Sequence, residues 1–296
     1  MEQQTKKPKI GIIGFGFVGK AVVHGFYLHS DLKIYDKFQD GLDTLEETIN
    51  NSDFIFICVP TPMSDDGSQD LSIVYGVMHD IERIAKSSKT IILKSTAVPG
   101  TTRSIAERYP KHHIIFNPEF LTERQAKLDF INTARIILGG NNPEALDAVE
   151  TMYRARFSHT PIFKTSWESA ELVKYMNNCF FALKISFLNE FYDVASLLNV
   201  PFDELKSMWL ADQRIGNSHN EVPGHDGDRG YGGKCFVKDI NALIQWARKR
   251  GMTLDTLRAA EKVNRRVRTN KDWLNIKGAT SQNSYTEPCG PKKKSK

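Results

Sequence analysis

Six short, almost uninterrupted apolar runs, at residues 9–13, 32–35, 54–59, 90–93, 114–116 and 136–138, alternate with amphipathic stretches in the first half of the chain. Strands that are apolar on both sides must be covered on both sides, as in a parallel sheet held between helices. Helices are expected between them, among others at 18–28, 72–86 and 143–157. This β–α alternation predicts an α/β fold built on a doubly wound parallel sheet of the Rossmann type. The pattern changes near 164–168. Ser166 suits the cap of a helix that meets no Gly or Pro until about Val200, and Pro201 suits the first position of the next helix. A glycine-rich loop follows at 224–233, then helices at 237–249 and 254–270. The second half is therefore expected to be mainly helical, with a long central helix.

Composition narrows the classes. Four of the 40 basic residues are lysines within 291–296, and the remainder nearly balance 35 acidic ones, so no nucleic-acid surface is expected. Cys58, Cys179, Cys235 and Cys289 form no CxxC pair, which argues against a metal site and for a reducing compartment. Residues 1–7 lack a secretory pattern, and no apolar run is long enough to span a membrane. A cytoplasmic protein without membrane or nucleic-acid partners is the expectation.

Gly14-Phe15-Gly16-Phe17-Val18-Gly19 follows the first strand directly and opens the first helix. Gly14 permits the tight turn, Gly16 lets a pyrophosphate approach the backbone, and Gly19 lets helix and strand pack closely. Asp36 ends the second strand 20 residues after Gly16, where a carboxylate holds ribose hydroxyls and repels a 2′-phosphate. The cofactor is expected to be NAD. Lys37, next to Asp36, weakens the discrimination against NADP.

Gly230-Tyr231-Gly232-Gly233-Lys234-Cys235 leads into Phe236-Val237-Lys238-Asp239. A cysteine leaving a glycine-rich loop at a helix start, beside lysines, sits where a thiolate nucleophile is favoured. Cys58 and Cys179 read instead as small buried apolar residues. Asp239 shares the Cys235 face of its helix, four residues on. Lys174 and Asn178 have the same spacing on the long helix and suit a developing oxyanion. Glu119 and Glu123 bracket Phe120 and Leu121 at the carboxyl edge of the sheet. Taken singly, the Lys174/Asn178 and Glu119/Glu123 pairs fit a solvated helix face equally well.

These segments resemble the UDP-glucose/GDP-mannose dehydrogenase family over about residues 9–270. The resemblance rests on Gly14 to Gly19, Val59-Pro60-Thr61-Pro62, Lys94-Ser95-Thr96, Asn117-Pro118-Glu119-Phe120-Leu121, Ala170-Glu171-Leu172-Val173-Lys174, Ile185-Ser186-Phe187-Leu188-Asn189-Glu190, Arg214-Ile215-Gly216 and Gly230 to Asp239. It implies NAD-dependent oxidation of the C6 alcohol of a nucleotide sugar to a carboxylate, with UDP-glucose as the first candidate. It also implies that Cys235 carries a thiohemiacetal and then a thioester. Lys174 and Asn178 would stabilise oxyanions, Thr96 and Asp239 would position or activate water, and Glu119 would assist hydrolysis. Thr61 and Glu123 would touch the cofactor. Phe120, Leu121, Gly230, Tyr231 and Gly232 would line the substrate, with Arg214 reaching it across a dimer interface.

Departures accompany the likeness. Family members continue into a third, second-Rossmann-like domain that grips the nucleotide, so weak substrate binding is expected of this chain. The 36–53 segment is short, Arg124 stands where glycine is common, Ala97-Val98-Pro99 replaces the usual Val-Pro pair, and the 217–228 loop is long. The expected organisation is an NAD-binding domain at 1–164, a helical catalytic and dimerisation domain at 165–277, and a disordered basic tail at 278–296. Two other classes stay open: a two-electron hydroxyacid-type dehydrogenase, and a non-enzymatic NAD- or sugar-binding relative.

Overall fold

The computed structural model describes residues 7–283. The chain divides into two compact units, residues 7–61 with 71–177, and residues 62–70 with 178–283. The sequence placed the change of architecture at 164/165; the units part later, inside the long helix. Its first turns belong to the sheet unit because Trp167 and Ala170 are buried in that unit's core.

The first unit holds β1 (Lys9–Ile13), α1 (Phe17–Phe26), β2 (Asp31–Tyr35), α2 (Leu45–Asn50), β3 (Phe54–Ile57), α3 (Ser72–Ile84), β4 (Thr90–Leu93), α4 (Thr101–Arg108), β5 (His113–Phe116), α5 (Ala126–Ile131), β6 (Ile136–Gly139), α6 (Pro143–Arg154), β7 (Ile162–Thr165) and the start of α7 (Trp167–Leu197). The strands form one sheet in the order β2-β1-β3-β4-β5-β6-β7. One face packs Ile10, Ile12, Val22, Phe26, Phe56, Ile92 and Tyr153. The other packs Ile13, Ile55, Ile57, Val74, Ile81, Ile91 and Phe116. Double burial is thus the physical reason for the uninterrupted apolar runs.

An all-parallel sheet was expected, and one pairing departs from it. β5 and β6 run antiparallel, meeting at Phe116 and Gly139. The short α5 between them packs beside α1, with the Phe130 ring against Phe26 at 6.0 Å. A Cβ on Gly25 would overlap that Phe130 ring, so close helix approach requires the glycine.

Glu171 is fully buried and accepts from the Gly100 amide (2.6 Å), the Thr102 amide (2.8 Å) and the Thr102 hydroxyl (2.6 Å). Gly100 precedes α4 at φ 93° and has no side chain to cap it. A carboxylate 71 residues away does that work, at the positive end of the helix.

The second unit holds the rest of α7, α8 (Phe202–Leu210), α9 (Phe236–Arg248) and α10 (Asp255–Val267). Leu188, Ala195, Phe202 and Val222 form a small core, flanked by Tyr192, Leu205 and Trp209. Pro201 caps α8 from outside instead of occupying its first turn. The tail expected from 278 onward begins with six folded residues: Met63 donates to Ala279 (2.9 Å) and accepts from Ser281 (2.9 Å). Ala279 and Thr280 are buried. The remainder of that tail, with Cys289 and the lysine run, lies outside the described residues.

Candidate active site

In the first unit, the Gly14–Gly19 turn joins β1 to α1 where the strand order reverses, between β1 and β3, the switch point at which such sheets bind ligands. Gly14 adopts φ 97°, open mainly to glycine. A Cβ on Gly19 would overlap the Gly14 carbonyl oxygen, whereas one on Gly16 would meet nothing within 4 Å. The α1 N-terminus has no side-chain cap and no acidic residue in its first turn. The positive end of its dipole, left without an acidic side chain, therefore suits a pyrophosphate. The Asp36 carboxylate at the end of β2 is oriented by the Phe15 amide (2.7 Å) and the Phe38 amide (2.9 Å). This geometry fits a dinucleotide whose ribose meets an acid. Phe15, Phe17 and Val18 are partly exposed on the turn, and Thr61 is buried at the end of the segment after β3.

Glu119 and Lys174 meet inside the same unit. The Lys174 Nζ donates to Glu119 Oε1 at 2.7 Å, and the two side chains are 3% and 6% exposed. Burial alone would raise the Glu119 carboxyl, but Lys174, together with the Leu121 amide and Lys94, outweighs it and holds the group below the usual carboxylate range. The Leu121 amide donates to the other Glu119 oxygen at 2.8 Å. Phe120 faces Arg135 and Lys174, whose charges stand 4.3 and 5.8 Å from its ring centre. Thr96 is half-buried just beyond β4, and Glu123 is exposed in a short 3₁₀ turn (Glu123–Gln125).

A third cation was not singled out from the sequence. Lys94 is buried at the end of β4 and donates to Asn117 Oδ1 at 2.8 Å, which also accepts from Tyr153 at 2.6 Å. Burial lowers the Lys94 ammonium to about 8. It also raises the nearby Cys58 thiol to about 12, so Cys58 is the inert buried cysteine the sequence suggested. The available signal for Lys94 was a lysine closing a strand that is otherwise apolar.

In the second unit, Asn178 donates to Asp239 Oδ2 at 2.6 Å, and both residues are buried. Lys238 engages the other Asp239 oxygen. Cys235 caps α9 and is partly exposed; the Asp239 amide donates to its carbonyl at 2.9 Å. Cys179 is buried, and desolvation raises its thiol. Tyr231 is buried, while Gly230 and Gly232 are partly exposed in the loop before Cys235. Arg214 is exposed and pairs with Asp212 two residues away (2.5 Å). Glu119, Lys174 and Asn178 are therefore not on solvated faces; Glu123 and Arg214 are.

The sequence and the fold both match known proteins. Residues 33–157 match the NAD binding domain of the UDP-glucose/GDP-mannose dehydrogenase family, and residues 168–266 match its central domain. The chain belongs to the UDP-glucose/GDP-mannose dehydrogenase family. It is 34% identical over 217 residues to a putative UDP-glucose 6-dehydrogenase, YtcA, of Bacillus subtilis, covering 71% of this chain and 50% of that one. It is 32% identical over 231 residues to the UDP-glucose 6-dehydrogenase TuaD of the same organism, covering 76% and 49%. A UDP-glucose dehydrogenase structure from Pyrobaculum islandicum superposes with a TM-score of 0.79 at 28% identity, covering 90% of this chain and 70% of that one. The chain thus spans about half the length of the curated relatives it matches. Its first unit carries the family's NAD-binding domain. Among the described residues, no helix is long and apolar enough to cross a membrane, and no three His, Cys, Asp or Glu side chains cluster as a metal site.

Proposed function

We propose that this chain is an NAD-dependent oxidoreductase that oxidises the C6 alcohol of a nucleotide sugar, UDP-glucose first among candidates, to the carboxylate. The observation that carries the reading is Cys235 at the α9 N-terminus, one turn ahead of a buried Asp239 held by Asn178, within the family's central domain. A two-electron alcohol oxidation needs no thiol, whereas a four-electron one gains from holding the aldehyde covalently.

Gly14 to Gly19 and Asp36 hold the cofactor, with Thr61 and Glu123 as further contacts. Bound NAD supplies the hydride acceptor for both oxidations. Lys174, oriented by Glu119, stabilises the alkoxide as the alcohol proton passes to water, and loss of hydride from C6 leaves the aldehyde. The Cys235 sulfur then adds to the aldehyde carbon, and Asn178 and Lys174 stabilise the resulting oxyanion. Loss of hydride from that carbon leaves a thioester. Water, positioned by Thr96 and activated by Asp239, adds to it with Glu119 assisting; the C–S bond breaks, and the carboxylate and the thiolate are released. Phe120 and Leu121 of the first unit, and Gly230, Tyr231 and Gly232 of the second, are the substrate contacts that the family resemblance implies.

The chain also pairs with a second copy through α7. Leu172, Met176, Phe180, Phe187, Phe191 and Val194 are all exposed. At about 100° per residue they fall in one arc of the helix. Arg214, exposed and held by its neighbour, is the arginine that serves the partner's site.

NADH formation across a panel of UDP- and GDP-sugars tests the reading. NADH and a uronate from UDP-glucose support it. NADH from simple hydroxyacids alone moves the chain to the two-electron class, and NAD binding with no turnover of any sugar makes it a binding protein.

A further inference from the structure

The glycine-rich loop ahead of Cys235 is held by residues far along the chain. Arg268, at the end of α10, has a side chain only 2% exposed among three carboxylates of the second unit. It donates to Asp226 at 2.5 Å and to the Asn270 carbonyl at 2.8 Å, and lies 3.4 Å from Asp272 and 3.7 Å from Asp228. These carboxylates in turn grip backbone. Asp228 accepts from the amides of Thr269 (3.0 Å) and Asn270 (2.6 Å), tying the loop to the segment after α10. Asp272 accepts the Gly233 amide on both oxygens, each at 3.1 Å. A Cβ on Gly232 would overlap both the Arg268 guanidinium and Asp272, so the loop backbone lies directly on this pair. One residue earlier, Asn264 accepts from the Tyr231 amide (2.7 Å) and donates to the Tyr231 carbonyl (3.0 Å).

Tyr231, Gly232 and Gly233 are thus fixed in sequence, the last of them two residues before Cys235. Gly233 itself sits at φ 70°, a conformation open mainly to glycine. Only a planar guanidinium can face several carboxylates at once with its donors in a fixed fork. We propose that Arg268 and Asp272 are positioning residues for Cys235: together they lock the Gly232–Gly233 backbone from which the thiol enters α9. The proposal rests on the reading of Cys235 as the nucleophile.

The test compares Asp272→Ala and Asp272→Asn in the full 296-residue chain. Hydrogen exchange of the peptide carrying the Gly233 amide should be at least tenfold faster in Asp272→Ala. It should stay near wild type in Asp272→Asn, whose carboxamide oxygen still accepts, and sheet peptides should not change. With UDP-glucose, kcat should fall at least tenfold in Asp272→Ala while KM for NAD and sugar stays within twofold. Unchanged Gly233 exchange, or faster exchange with unchanged kcat, overturns the proposal. If the wild type oxidises no nucleotide sugar, the reading of Cys235 fails separately. The clamp is then judged by the iodoacetamide alkylation rate at Cys235, mapped by mass spectrometry, which must differ at least threefold between wild type and Asp272→Ala. Should Asp272→Ala not fold, Arg268→Lys, which keeps the charge and loses the fork, carries the same expectations.

Discussion

Lys94, Glu119 and Lys174 put two ammonium groups and one carboxylate into the interior of the sheet unit, and each sets a measurable energy. Breaking the buried Lys174–Glu119 pair leaves an uncompensated charge, so Glu119→Gln should lower stability by about 3–5 kcal/mol in urea unfolding at neutral pH. The Glu119 carboxyl is lowered in the fold. The wild type's advantage is therefore present above the unfolded carboxylate range and lost as pH falls through the folded value; an advantage that persists in acid contradicts the pairing. Lys94 shifts stability in the same direction but in an alkaline window. Below about 8 it is protonated folded and unfolded alike, and its burial weighs fully against folding. Between about 8 and its usual 10.5 the unfolded chain holds the proton more tightly, so stability rises with pH. Relative to Lys94→Met, the wild type should gain up to about 3 kcal/mol across that window; a flat difference refutes it. Asp36 makes a third residue-scale prediction. NAD should bind at least tenfold more tightly than NADP by calorimetry, and equal affinities would point to Lys37 as a phosphate partner. Spacing in the sequence singled out Lys174, Asn178, Glu119 and Asp239. The pairing of Lys174 with Glu119 closes over 55 residues and that of Asn178 with Asp239 over 61, and neither was legible without the fold. Glu171 was quoted only as part of a motif; its cap on α4 depends on where that helix begins.

At the scale of elements, continuous apolar runs revealed β1 to β6 because burial on both faces writes itself into composition. β7 escaped because it is a sheet edge with Phe163 and Lys164 exposed, so its pattern is neither continuous nor alternating. α2 escaped for a different reason. It has six residues, and its signal is a capping box in which Thr44 accepts the Glu47 amide (3.1 Å) while Glu47 accepts the Thr44 amide (2.9 Å). The reversed pairing of β5 and β6 is a single contact, Phe116 to Gly139, which no periodicity discloses. α7 was legible in both length and start, since Ser166 accepts the Ser169 amide at 3.2 Å. Its two apolar faces differ in the fold: Leu188 is buried, while Phe187 and Phe191 lie exposed, 4.6 Å apart between ring centres. Burial of an aromatic side chain is worth about 2–3 kcal/mol. Phe187→Asp with Phe191→Asp should therefore convert a micromolar solution from dimer to monomer by light scattering. A wild type that is itself monomeric removes the proposed interface.

For the whole molecule, family membership rests on both halves of the chain and the NAD-binding domain on the first, while the chemistry proposed for it turns on one sulfur. Both the glycine turn and the Cys235 motif stood out in the sequence, because a phosphate site and a helix-start thiol each require particular residues at fixed spacing. The clamp behind the thiol did not. Arg268 and Asp272 reach Gly232 and Gly233 only after α9 and α10 have returned the chain to the loop. The most direct measurement of the central claim is the ratio of NADH formed to UDP-glucose consumed, in the wild type and in Cys235→Ala. The account predicts two NADH and one uronate per sugar for the wild type, and loss of uronate with NAD binding intact for the variant. One NADH per sugar, with turnover surviving in Cys235→Ala, would contradict it.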